Sequence, residues 1–289
     1  MGRVDAHHHL LYPEERTYPF LQLDTYRPLE RRYGVEELRP GIEAAAIDRT
    51  IAIETVPDAE ETERLLHEAA GQPTLAGVVG WVDLMRPGVG EEIARLRGTS
   101  GGEHLVGVRH LVHDEPDPDW LIRPAVLAGL REVHAAGLPF DLLIRPRDLP
   151  ASLALADAIP ELRLVVDHIA KPRIGAEDAA VDAEWERGLR ALAVRPQVSC
   201  KLSGMVTETT PGSGWTVARL RPYLDRVLAW FGPERLMFGS DWPVCLLAAE
   251  YREVHDVVAA FVADTLSPAE QRGVLGDVAS AFYDLPDEA

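Results

Sequence analysis

Short apolar runs recur along the whole chain, and helical patterns fill the gaps between them. The runs lie near Val4–His7, Thr50–Glu54, Leu75–Val82, Leu105–Leu111, Pro139–Ile144, Leu164–Asp167, Gln197–Leu202 and Leu236–Gly239, eight in all. Most are bounded by Gly, Pro or Asp and are rich in Val, Ile and Leu, the composition of parallel strands buried on both faces. Between them, Val35–Ile47, Asp58–Ala70, Arg123–Ala136, Asp182–Ala193 and Val217–Phe231 repeat apolar residues three and four apart, the spacing of one helix face. Two further helical patterns, Glu250–Thr265 and Pro268–Phe282, follow the last run. Strands alternating with helices predict a parallel sheet. At 289 residues, near the roughly 250 of a closed barrel, the economical solution is for that sheet to close on itself. The expected architecture is one α/β domain over residues 1–289, a single (β/α)8 TIM barrel with two extra C-terminal helices. An open doubly wound sheet competes, but no G-x-G-x-x-G follows a strand.

Composition narrows the partners. A formal net charge of −18 disfavours nucleic acid and anionic membrane surfaces. No apolar run reaches the roughly 18 residues of a membrane span. The start, Met-Gly-Arg-Val-Asp, has no apolar signal region, so the cytoplasm is the expected compartment. Cys200 and Cys245 are expected as reduced thiols there. A small molecule is the expected partner, and homo-oligomerisation is left open.

In a barrel, chemistry sits at the C-terminal ends of the strands. The first run ends in Asp5-Ala6-His7-His8-His9. Side chains alternate along a strand, so His7 and His9 share a face while His8 points away into structure. Two converging imidazoles suit a divalent metal or a polarised carbonyl. The sixth run ends in Asp167-His168, with Asp167 placed to orient a neighbour. After the eighth, Gly239-Ser240-Asp241-Trp242-Pro243 sets a carboxylate at the strand tip, where it can take a proton from water and return it. His7, His9, His168 and Asp241 are the expected catalytic residues. His7, His9 and Asp241 are the expected metal ligands, for one weakly held divalent ion, zinc by preference, or for none.

Other strand tips carry candidate substrate contacts: Trp81, Arg109, His110, Arg145, Lys201, Glu208, Trp215 and Trp242. Arg and Lys there suit a carbonyl, carboxylate or hydroxyl. Lys171 and Lys201 are the only lysines among 29 basic residues, which singles out Lys201 as a place where a compact ammonium is needed. The long connection from Leu10 to Gly34, with Tyr12, Tyr18, Phe20, Tyr26, Arg27 and Arg32, has the length of a lid or binding loop. His67, His104, His134 and His255 fall on helices or loops away from the tips.

Together these motifs resemble the amidohydrolase superfamily, in its fuconolactonase-like, metal-optional lactonase branch. The resemblance spans nearly the whole chain and rests on V-D-A-H-H-H at 4–9, G-V-V-G-W-V-D-L at 77–84 and G-V-R-H-L-V at 107–112. It continues through F-D-L-L-I-R-P at 140–146, D-H-I-A-K-P at 167–172, C-K-L-S-G-M-V-T-E at 200–208 and R-L-M-F-G-S-D-W-P-V at 235–244. It implies a hydrolase that opens a sugar lactone such as L-fuconolactone, with Asp241 as general base and then general acid. Binuclear members carry a modified Lys on strand four; this chain has Arg109 and His110 there, which argues against a bridged two-metal site. The Pro211-Gly212-Ser213-Gly214 insert is where it departs from its relatives. Two other readings remain at this stage: a metal-dependent decarboxylase of an unsaturated or aromatic acid, and a degenerate barrel that only binds sugar acids.

Overall fold

The computed structural model describes residues 2–175, 179–209 and 214–286. Eight parallel strands follow chain order around one sheet: β1 (Val4–His8), β2 (Arg49–Ile53), β3 (Leu75–Gly80), β4 (Leu105–His110), β5 (Phe140–Leu142), β6 (Leu164–Val166), β7 (Val198–Leu202) and β8 (Leu236–Phe238). All their residues are buried save His110 at the end of β4, as expected for strands covered on both faces. The ring closes just past the formal strand ends. There His9 N–H donates to Trp242 O at 2.6 Å and Asp241 N–H to His7 O at 2.8 Å. The seam of the barrel is therefore made by the backbone of the expected catalytic residues.

The helices are α1 (Val35–Ala45), α2 (Ala59–Ala69), α3 (Val89–Arg97), α4 (Pro124–Ala135), α5 (Leu149–Ala158), α6 (Ala179–Ala193), α7 (Val217–Phe231) and α8 (Tyr251–Thr265). Their starts follow local chemistry: Asp58 accepts from Glu60 N–H at 2.9 Å, and Glu37 reaches back to Gly34 N–H at 2.8 Å. Two of these helices were not anticipated. Helix α5 reads Leu-Pro-Ala-Ser-Leu-Ala-Leu-Ala-Asp-Ala and has almost no polar face, so no amphipathic period marks it. Helix α3 is nine residues long and begins beside Gly88 and Gly90.

Helix α8 packs on α1 and α7 and completes the ring, so it is the eighth barrel helix. The segment after it is the one that is extra. It runs as α9 (Pro268–Arg272), a π turn at Gly273–Asp277 and α10 (Val278–Phe282). At Gly276 a Cβ would sit 2.3 Å from the Gly2 carbonyl oxygen, so only glycine lets this turn lie against the barrel's N-terminal edge. Tyr283 and Leu285 then pack with Val4, Ile51, Val79, Val165 and Met237 and fill the floor.

The Leu10–Gly34 connection is pinned at its base. Leu11 pairs with Tyr33, and the Tyr12 ring lies between the Arg32 and Arg64 guanidiniums at 4.7 and 4.2 Å while its hydroxyl bonds Glu68. Tyr33 in turn packs edge-on against Trp242 at 5.3 Å. Among the described residues, no helix is long and apolar enough to cross a membrane.

Candidate active site

His7 and His9 do share a face: their Nε2 atoms lie 3.3 Å apart, and His8 is buried elsewhere with both ring nitrogens unpartnered. Asp241 comes from the other side of the seam. Its Oδ1 lies 3.6 Å from His9 Nε2, 3.7 Å from His168 Nε2 and 3.8 Å from His7 Nε2. One carboxylate thus faces three imidazoles, all four groups nearly or fully buried.

Each ring is held from behind through Nδ1. His9 Nδ1 faces Ile53 O at 3.0 Å, His168 Nδ1 faces Ser203 Oγ at 2.8 Å, and His7 Nδ1 faces Asp167 Oδ1 at 3.3 Å. With protons on Nδ1, the three Nε2 lone pairs converge on Asp241. Burial pushes His7 and His168 well below the usual histidine range, so both are neutral near pH 7. Burial works against an ionised Asp241; a protonated His168 first, and an Nε2–H of His9 second, would hold the carboxyl below its ordinary value, so its charge is coupled to the protons on the rings it faces.

Backbone strain aims two of these groups. His168, Ile169, Ala170 and Lys171 all have positive φ, between 47° and 62°, one left-handed turn without a glycine. Such residues cost roughly 1–2 kcal/mol each, and a β-branched Ile is an outlier there. Asp241 is also left-handed, at φ 58°. Opposite the turn, Gly204 leaves room for the His168 ring: a Cβ there would lie 2.6 Å from Cγ and Nδ1.

Beneath His7 lies a buried ionic network. Lys201 Nζ donates to Asp141 Oδ2 at 2.6 Å and pairs with Asp167 Oδ1 at 3.0 Å. Arg109 donates to Glu54 Oε1 at 2.9 Å and to Asp167 Oδ2 at 3.2 Å. Tyr283, from the floor, donates to Asp141 Oδ2 at 2.8 Å. Burial pushes Asp141 up to about 6 and Glu54 up to about 7, whereas Lys201, His7 and Arg109 overcome burial at Asp167 and hold it well down. Arg109 and Lys201, expected to touch substrate, are buried and engaged in this network, and Arg109 Nη1 also comes within 3.4 Å of His7 Nε2.

The other expected contacts separate. Trp81 donates its indole N–H to His110 Nδ1 at 2.9 Å, and His110 stacks on Trp120 at 4.1 Å with Nε2 on Glu115. That leaves the half-buried Trp81 ring fixed as a wall. Glu208 pairs with Lys171, and Arg145 is exposed beside it on the rim. Trp242 is buried against Tyr33, and Trp215 bonds Ala248 O and lines an outer groove with Val217 and Phe261. Neither indole is brought to the imidazoles. The Pro211–Ser213 part of the insert lies outside the described residues.

Sequence reasoning missed three residues that build the site. Glu54 ends β2 as a carboxylate after Ile-Ala-Ile, a visible signal. Asp5 clamps the seam: its Oδ1 accepts from Ser240 N–H at 2.9 Å and His7 N–H at 3.1 Å, its Oδ2 from Tyr251 hydroxyl at 2.9 Å. Ser203, just after β7, is the partner of His168 Nδ1 at 2.8 Å.

The donor set fits a divalent ion. Neutral imidazole lone pairs and an ionised carboxylate converge, and the N and O atoms of His7, His168 and Asp241 lie within 4.8 Å of one another. His9 stands beside this set, its Nε2 3.3 Å from that of His7 and 3.6 Å from Asp241 Oδ1, and it is the left-handed turn that brings His168 in to join them.

A parallel eight-stranded barrel with His-rich strand one, a strand-six His and a strand-eight Asp defines a class of hydrolase. The chain belongs to the amidohydrolase family, whose model matches residues 4–285. It is 38% identical to the L-fucono-1,5-lactonase of Burkholderia multivorans over 99% of this chain and 97% of that one. It is 37% identical to the L-fucono-1,5-lactonase of Burkholderia ambifaria, over 86% and 83%. A crystal structure of a Burkholderia multivorans amidohydrolase with bound zinc superposes with a TM-score of 0.92 at 38% identity, covering 99% of this chain and 100% of that one.

Proposed function

We propose that this enzyme hydrolyses an aldonolactone of the L-fucono type to its hydroxy acid. The observation that carries the reading is Asp241 Oδ1 held 3.6–3.8 Å from three imidazole Nε2 atoms, in a chain so similar to two fuconolactonases. In that space a water donates one hydrogen bond to Asp241 and a second to an imidazole lone pair. Asp241 takes its proton as the water oxygen attacks the lactone carbonyl. The same carboxyl then gives the proton to the ring oxygen as the C–O bond breaks, and the product leaves as a hydroxy acid. His7, His168 and Asp241, with His9 adjacent, would hold one zinc ion, which when bound lowers the pKa of water and stabilises developing negative charge. Trp81 presents its ring to the sugar, while Glu208 and Arg145 meet its hydroxyls.

The test is a pH-indicator assay with L-fucono-1,5-lactone and other aldonolactones, with and without chelator, corrected for spontaneous opening. Hydrolysis of the fucono-type lactone well above background is expected, with at most one metal ion per chain by elemental analysis. A folded protein that opens none of them, or that turns over aromatic acids instead, refutes the assignment.

A further inference from the structure

The structure assigns a positioning role to Trp185: from behind the barrel, its indole N–H holds the left-handed turn that aims His168 at Asp241. The inference rests on the reading of His168 as part of the catalytic centre. Trp185 lies on α6, is 1% exposed, and packs between Tyr223 and Trp230, with ring centroids 5.2 and 5.4 Å away. Its Nε1–H donates to the carbonyl of Ile169, in the middle of the turn, at 2.7 Å.

That bond matters because the turn is uphill. Four consecutive residues with side chains hold φ between 47° and 62°, which L-residues avoid. Such a conformation persists only where its surroundings over-determine it. On the catalytic side the holds are Ser203 Oγ on His168, and within the turn Lys171 N–H on His168 O at 2.8 Å. Trp185 grips the turn from the outer side. Ile169 and Ala170 are fully buried, so without the indole N–H the Ile169 carbonyl faces no water. A buried carbonyl without a donor is costly, and rotating the Ile169–Ala170 peptide removes both that cost and the strain. The rotation carries His168, one residue away, off Asp241. Trp185 thus acts through the turn on the reaction and touches no reacting atom.

The test is Trp185→Phe, which keeps the ring and removes the donor, alone and combined with Ala170→Gly. Glycine occupies the left-handed region without a Cβ penalty, so it should hold the turn without help. For Trp185→Phe, kcat on the lactone should fall about 10²-fold, the cost of a misplacement near 1 Å, with KM within about threefold. Adding Ala170→Gly should recover most of the lost kcat. Crystal structures should show the His168–Asp241 separation of 3.7 Å lengthened in the single variant and restored in the double. If Trp185→Phe does not fold, the pair to compare is Ala170→Gly with and without Trp185→Phe. Unchanged kcat, or a lower Tm with unchanged kcat, overturns the proposal and leaves Trp185 a packing residue. So does a loss that glycine cannot rescue. If the parent opens no lactone, the lactonase reading fails by itself, and the His168–Asp241 distances still decide the role of Trp185.

Discussion

Asp241→Asn isolates the general base. Asn is close to isosteric and, like Asp, tolerates the left-handed conformation that this position holds at φ 58°. The backbone bonds of residue 241, to His7 O at 2.8 Å and from Cys245 N–H at 2.9 Å, do not involve the side chain. The carboxylate contacts imidazole nitrogens and caps no backbone N–H, so the barrel seam should survive. What is lost is a basic oxygen facing three rings at 3.6–3.8 Å. Losing a general acid–base group costs about 10²–10⁴ in kcat, or about 3–5 kcal/mol of barrel-mouth transition-state stabilisation. Stability should change by less than about 1 kcal/mol, since no cap is removed. Initial rates of lactone opening by pH indicator, with spontaneous hydrolysis subtracted, give kcat and KM, and a thermal melt gives Tm. A well-folded variant with near-parental kcat would falsify the general-base assignment; a collapsed Tm would instead make Asp241 a structural residue.

Three further outcomes follow from the same geometry. Gly204→Ala should lower Tm and abolish most activity, because its Cβ would sit 2.6 Å from the His168 ring at φ +64°; parental kinetics would mean the ring is free to move. Lys201→Met leaves Asp141 buried without its cation, and Asp167 with Arg109 alone, and should cost roughly 3–5 kcal/mol in urea unfolding, against less than about 1 kcal/mol for the exposed Arg221→Ala. Equal costs would refute the burial argument. Burial, with Lys171 and Arg145 nearby, pushes His113 down to about 3, so between its ordinary value and 3 the unfolded chain binds the extra proton and stability falls as pH falls. His113→Gln should therefore lose up to about 1.4 kcal/mol less per pH unit than the parent between about pH 6 and 4; parallel stability curves would exclude it.

What was legible in the sequence was what local periodicity carries. Eight apolar runs gave strand order and barrel class, and alternation put His7 with His9 and turned His8 away. Their ends ran one or two residues long, because Leu143 and Ile144 stay buried after the ladder of β5 has stopped. Depth was not legible. Arg109 and Lys201 end up buried in the ionic network, since strand position says which way a side chain faces but not which layer of the barrel it fills. Nor was conformation: nothing in Asp-His-Ile-Ala-Lys-Pro announces four left-handed residues, which are imposed by tertiary contacts. Helix α5 was hidden for the opposite reason, being too uniformly apolar to show a period.

Tyr283 reaches Asp141, Asp141 holds Lys201, and Lys201 lies 3.3 Å from His7 Nδ1. Tyr283 is thus three contacts from the His7 ring. Asp141, Asp167 and Lys201 are fully buried, and the Tyr283 ring is what covers them on the floor side. The segment after α8 is thereby part of the catalytic architecture, closing from below the layer on which His7 rests.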